Sequence, residues 1–314
     1  IKIDELADFC KFNKIKTLGL ADSYNLCGAL EFSEKISKVG THPIIGTQIN
    51  LKVSDIIGKI SLYATSEQGY KNLTKLSSAS YLNNNAMTDP SCNLKNLTEN
   101  NDGLILLTGN YTNFFGKLFY KNKLKDFEEI LNSLKTSFKD RLYIEVQRHN
   151  EHQEKNFENY LLNISKSLNL PLIATQEIFY LEENMYEAHD ALVCIGEKNF
   201  VDDKNRFRYS NQHYLKSQEE LEKLYSDIPE ALENNYNFHL RFNFKPKKSK
   251  PILPSIANKE SNSPEEELSR LAKKGLENRL ENFILKKNKS KIKEKIIEIY
   301  EDRLTHEINI INSM

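Results

Sequence analysis

Few residues in this chain combine the type and placement that chemistry needs. His149 follows the apolar run Leu142 to Val146, and Glu177 and Asp22 follow two more such runs. An imidazole and carboxylates beyond strand ends are the groups that α/β proteins use as general bases or metal ligands. Each also has an ordinary reading. His149 and Glu177 read first as hydrogen-bonded polar groups at strand ends. Asp22, with Asn25 ahead of a helix, reads first as a turn or capping device. His189 and Asp190 invite a dyad, but neighbours on a helix point in different directions, so capping or packing is the better reading. The string Gly103 to Gly109, GLILLTG, lacks a following GKS or GKT and is no P-loop. Asp227 and Asp302 are single carboxylates, without the pairing on a strand that a two-metal site requires.

These groups need a scaffold, and the pattern supplies one. Apolar runs at Thr17 to Ala21, Pro43 to Leu51, Ile60 to Ala64, Leu104 to Thr108, Leu142 to Val146 and Leu172 to Thr175 predict strands. Amphipathic stretches at Asp4 to Phe12, Leu26 to Val39, Tyr70 to Ser78, Phe127 to Ser137 and Gln153 to Leu168 predict helices between them. This alternation argues for a parallel sheet with right-handed crossovers, open or closed into a barrel. Asn83 to Asn101, rich in Asn, Thr, Asp and Ser, reads as a surface loop. After Phe244 the pattern changes. Lys245 to Pro254 is a linker by composition, and Ser263-Pro264-Glu265-Glu266 starts a helix with an N-cap, a proline and first-turn acids. A second helix follows from about Ile292. The organisation expected is a β/α domain over residues 1–244 and a linker with opening helices over 245–314.

Composition excludes several classes. The 314 residues carry 44 Lys plus Arg and 44 Asp plus Glu, so the formal net charge is zero and whole-surface attraction to phosphate is not expected. A local basic run, Lys286, Lys287, Lys289 and Lys291 with Lys293 and Lys295, reads either as a solvated helix junction or as a contact for nucleic-acid phosphates. No apolar run reaches the roughly 18–20 residues of a transmembrane helix. Cys10, Cys27, Cys92 and Cys194 form no CxxC pair and read as reduced core thiols of a cytosolic protein. The chain opens on Ile1 and closes on an uninterrupted helical stripe, Leu304, Ile308 and Ile311, so it reads as a fragment cut at both ends.

Several strings share one resemblance. LGLADSYNLCGALEF (Leu18 to Phe32), PIIGTQ (Pro43 to Gln48), YIEVQRH (Tyr143 to His149), LIATQEIFY (Leu172 to Tyr180), AHDALVCIG (Ala188 to Gly196), DIPEA (Asp227 to Ala231) and the closing HEINIINSM occur in order. Together they resemble the N-terminal part of the alpha-subunit family of bacterial replicative DNA polymerases. The likeness spans the polymerase-and-histidinol-phosphatase (PHP) domain and the start of the polymerase palm region. It implies a PHP-type seven-stranded β/α barrel, followed by the helical start of the palm. In active members, histidines and carboxylates at the C-terminal ends of the strands hold two or three divalent metals, which activate water and neutralise phosphoryl oxygens.

The family's ligand positions fall on Ser23, Gln48, His149, Glu177 and Phe179, while its opening HxH motif would precede Ile1. A ligating histidine is expected at Ser23, a carboxylate at Gln48 and a histidine at Phe179; only His149 and Glu177 keep a competent donor. A hydroxyl and a neutral amide are poor ligands in a multi-metal site, and a phenyl ring is none. The expectation is a vestigial, metal-free PHP site and no cofactor or catalytic residue in this fragment. Mg2+ would serve the polymerase site of the full-length, cytoplasmic protein. The partners implied are the rest of the alpha subunit, a proofreading exonuclease subunit (epsilon-type) and primed DNA, with no membrane. The competing reading is a stand-alone metal-dependent PHP phosphoesterase or 3'-5' exonuclease, against which Ser23, Gln48 and Phe179 argue. A PHP domain of the Gram-positive-type polymerase is a further possibility, but no exonuclease domain interrupts the sequence.

Overall fold

The computed structural model describes residues 1–82, 84, 88–252, 263–287 and 293–313. They form two compact units, Ile1–Lys248 and Ser249–Met314. In the first, the described residues make seven strands: β1 (Thr17–Ser23), β2 (His42–Val53), β3 (Ile56–Ala64), β4 (Ser91–Asn93), β5 (Leu104–Leu107), β6 (Leu142–Gln147) and β7 (Leu172–Thr175). Their order is β1-β2-β3-β5-β6-β7, with β4 paired to β2 outside this path. The sheet curls into a half-barrel with helices around it, and β1 and β7 end the described path while β4 is a further edge.

The all-parallel expectation fails at β3. β1 and β2 are parallel, as are β5, β6 and β7, but β3 runs antiparallel to both β2 and β5. Val53 pairs with Ile56 across Ser54 and Asp55. A turn this short reverses the chain, whereas a parallel return needs a crossover of a dozen or more residues. Ser54 takes φ 53°, in the left-handed region.

The surface-loop reading of Asn83 to Asn101 is also corrected. β4 lies within it and pairs in parallel with Asn50, Leu51 and Lys52, burying Cys92. The side chain of Asn93 then accepts the Asn96 N–H at 2.8 Å and caps helix Leu94–Glu99. Polar residues common in loops serve here as a cap and an edge, which composition does not distinguish.

Five helices follow the apolar periodicity: Ile3–Phe12, Ala29–Lys38, Glu67–Leu82, Leu124–Phe138 and Glu154–Leu168. Others had no clean stripe to announce them. Helix Phe114–Tyr120 is apolar nearly all round and buries Phe114, Phe115 and Leu118. Helix Gln218–Leu224 starts at a capping box made by Ser217 and Glu220.

Strand alternation separates two faces. Ile49, Leu51, Ile60, Leu62, Leu106, Ile144 and Val146 join the main core, with Phe115, Phe127 and Phe138 from the surrounding helices. The opposite, concave face carries Ile44, Ile105, Leu107, Tyr143 and Ile173, closed by Phe242, Tyr63 and Phe238. That apolar plug fills one end of the concavity. Toward the C-terminal ends of the parallel strands the same face turns polar: by the same alternation it carries Ser23, Gln48, Lys59, Ser61, Glu145, Gln147 and Thr175.

Residues beyond Phe244 remain bound to the first unit for a few positions. Ser33 Oγ donates to the Pro246 carbonyl at 3.2 Å, and Lys248 pairs with Glu34 at 3.0 Å. The second unit holds helix Pro264–Arg279, a π-helical turn Leu280–Ile284, a short helix Leu285–Lys287 and helix Lys293–Ser313. Ser263 Oγ accepts the Glu266 N–H at 3.2 Å, with Pro264 as the first helical residue. No described helix is long and apolar enough to cross a membrane.

Candidate functional site

The five ligand positions expected from the sequence lie in two groups at the polar end of the concave face. Ser23 ends β1 opposite Gln48 of β2. Its hydroxyl donates to Gln48 Oε1 at 3.0 Å and accepts from Lys59 Nζ at 2.9 Å. Lys59 reaches this point because β3 is reversed, which brings the first half of that strand to the C-terminal ends of its neighbours.

The second group is centred on His149, 2% exposed just beyond β6. Its Nε2 accepts the backbone N–H of Glu177 at 3.1 Å, so the ring proton sits on Nδ1, 3.3 Å from Glu154 Oε1. The Glu154 carboxylate also accepts the backbone N–H of His149 at 2.9 Å. The ring lies flat on His213, whose Nδ1 is 3.0 Å from the Glu177 carbonyl. Phe179 stacks on His213 and on His189, with ring centroids 4.9 Å apart in both pairs. His189 therefore packs, and Asp190 binds Arg206 in a two-pronged ion pair rather than serving a dyad.

The chain from 207 to 215 folds over this second group. Ser210 Oγ donates to the His149 carbonyl, and Tyr209 packs against Phe179 at 4.7 Å. Burial pushes the Glu177 carboxyl above the usual range, with the Lys59 ammonium and the His149 ring pulling the other way. Glu145, deeper on the same face, is raised by burial too, while Thr175, Gln147 and the Gly109 N–H donate to it. Gly109 sits at φ 84°, where a side chain would be strained.

The donor set fits a metal poorly. Nε2 of His149 already accepts a hydrogen bond, and an ammonium stands against Ser23. Among the described residues no three His, Cys, Asp or Glu side chains come together in a way that could hold a metal ion.

Other expected residues are placed plainly. Asp22 is exposed, and the turn after β1 is made instead by Asn25, which accepts from Cys27 N and donates to the Ser23 carbonyl, both at 3.0 Å. Asp227 accepts both terminal nitrogens of Arg148. Asp302 is exposed on helix Lys293–Ser313. Lys286 is exposed, and Lys287 ends the short helix Leu285–Lys287; Lys289 and Lys291 lie outside the described residues. Of the cysteines, Cys10, Cys92 and Cys194 are buried, but Cys27 is exposed, correcting the reading of four core thiols. Composition missed Lys59, His213 and Arg148. A lysine inside the apolar run Ile56 to Ala64 was the available signal for the first.

A curled β/α half-barrel gathering its polar groups at the strand C-termini is the setting of a PHP domain, and residues 1–149 match the family model described as the PHP domain. The DNA polymerase III subunit alpha of Caulobacter vibrioides is 35% identical over 324 residues, covering 100% of this chain and 28% of that protein. Those of Rickettsia bellii and Vibrio cholerae are 33% and 31% identical, over 99% and 95% of this chain and 27% and 26% of theirs. The chain thus spans about a quarter of the length of these relatives. It corresponds to the N-terminal, PHP-containing region of DNA polymerase III alpha subunits. A solved structure from Bifidobacterium adolescentis is similar more loosely, at 12% identity and a TM-score of 0.38 over 56% of this chain and 81% of its own.

Proposed function

We propose that this chain is a structural, partner-binding PHP region of a replicative DNA polymerase, and that its own phosphoesterase site is closed to metal. Template-directed synthesis from deoxynucleoside triphosphates belongs to the full-length protein, a cytoplasmic enzyme using Mg2+ at palm aspartates outside this chain. The observation that carries the reading is the state of the retained ligands. His149 spends its free ring nitrogen on the Glu177 N–H, and Ser23 and Gln48 bond to each other and to Lys59. What remains supplies no open metal position at which water could become hydroxide. The similarity of the whole chain to polymerase alpha subunits supports the same reading.

The test uses the intact protein. Metal content after dialysis against Zn2+ or Mn2+, hydrolysis of p-nitrophenyl phosphate, and extension of primed DNA are measured side by side. Extension with Mg2+ but neither tightly held Zn2+ or Mn2+ nor hydrolysis is expected. A stoichiometric metal that is lost in His149→Ala, together with hydrolysis, would overturn the reading.

A region relieved of hydrolysis fits a division of labour in which proofreading comes from a separate exonuclease subunit. Co-purification of that subunit with the intact protein at micromolar concentration is the expected result. Failure to co-purify removes the partner from the proposal.

A further inference from the structure

The polar end of the concave face already contains a cation. Lys59 lies near the start of β3, opposite Asn50 on β2, and its ammonium is 2.9 Å from Ser23 Oγ. The ammonium also lies 5.5 Å from the centroid of the Tyr24 ring, whose hydroxyl donates to Asn50 Oδ1 at 3.3 Å. Glu177 follows β7, at the same end of the sheet. Ser23, which the ammonium touches, and Gln48, bonded to Ser23, are two of the positions at which the family's metal ligands are expected.

A metal cluster brings two things to such a place: positive charge among carboxylates, and vacant coordination sites. An ammonium brings only the first. It carries one charge and three hydrogen-bond donors, and it cannot bind a water as a ligand. Its charge also repels an incoming divalent ion, the more so where water is largely excluded.

We propose that the Lys59 ammonium takes the place of a divalent cation in this mouth, holding Ser23 and through it Gln48, so that metal is excluded even when better ligands are supplied. The inference rests on the metal-free reading above and deepens it. Lys59 is a positioning residue here and takes no part in any reaction.

The test restores ligands with and without the lysine in the intact protein. Ser23→His, Gln48→Glu and Phe179→His are combined, once on the parent and once with Lys59→Met, and Zn2+ affinity is measured by competition with a chromophoric chelator. The combined variant is expected to bind Zn2+ at least tenfold more tightly when Lys59→Met is added, and Lys59→Arg to leave it weak. Equal affinity with and without the lysine, including no binding in either, overturns the role of Lys59. Stoichiometric Zn2+ in the unaltered protein, lost in His149→Ala, overturns the metal-free reading instead.

Discussion

The rings of His149 and His213 lie parallel, 1° apart in tilt with centroids 4.1 Å apart. Each ring is tied to Glu177, His149 through the backbone N–H and His213 through the carbonyl. One peptide segment after β7 therefore holds two imidazoles in register, and Phe179 extends the stack. Two charged imidazoles at this distance would repel.

Burial and the neighbouring His149 push His213 down to about 3, from an ordinary value near 6.5. The folded state then refuses a proton that the unfolded chain accepts. Stability is fully present above about pH 6.5 and falls as the pH drops from there toward 3, by up to about 1.4 kcal/mol per pH unit from this group. Urea midpoints between pH 7.5 and pH 4 should fall more steeply for the parent than for His213→Asn. Identical slopes would mean that the ring is not held neutral.

Glu145 collects three donors on a fully buried carboxylate, from Gly109, Gln147 and Thr175. Glu145→Ala should destabilise the fold by about 3 kcal/mol or more, because those donors lose their acceptor out of reach of water. Glu145→Gln keeps one carbonyl oxygen and should cost less than half as much. Chemical denaturation of both variants distinguishes this from a simple cavity effect, for which Gln would be nearly silent.

Arg148 joins three parts of the first unit. It pairs with Glu158 and Asp227, donates to the Leu224 carbonyl, and lies over the Tyr225 ring at 5.1 Å. Arg148→Met should cost about 3–5 kcal/mol, since it strands a largely shielded Glu158. Arg148→Lys should recover only a small part, because an ammonium cannot serve two carboxylates and a ring with the same fork geometry. Full recovery by lysine would show that charge alone matters here.

Thiol reactivity should separate the four cysteines. Cys27 is exposed, whereas Cys10, Cys92 and Cys194 are buried and burial pushes Cys92 up to about 12. Within residues 1–314, native protein treated with a thiol reagent at pH 8 should label one cysteine rapidly, and peptide mapping should find it at Cys27. The other three should react only on unfolding. Rapid labelling of Cys92 would contradict the pairing of β4 with β2.

The sequence by itself determined the local elements and the chemistry missing from the ligand positions. Apolar runs marked six of the seven described strands, 3.6-residue stripes marked five of the helices, and Ser23, Gln48 and Phe179 stood visibly where a histidine, a carboxylate and a histidine were expected. These are properties of side-chain type and short-range spacing. The tertiary structure decided the direction of β3, the pairing of β4 and the company each polar group keeps. Lys59 falls just outside the predicted strand Ile60 to Ala64, and only the two-residue turn at Ser54 and Asp55, which reverses β3, carries its ammonium to Ser23. His213 lies 64 residues beyond His149 in the chain, yet the two rings touch because the segment after Tyr209 returns over the mouth. Hydrophobic periodicity records which face of an element is buried, and it holds no information about which distant element will cover that face.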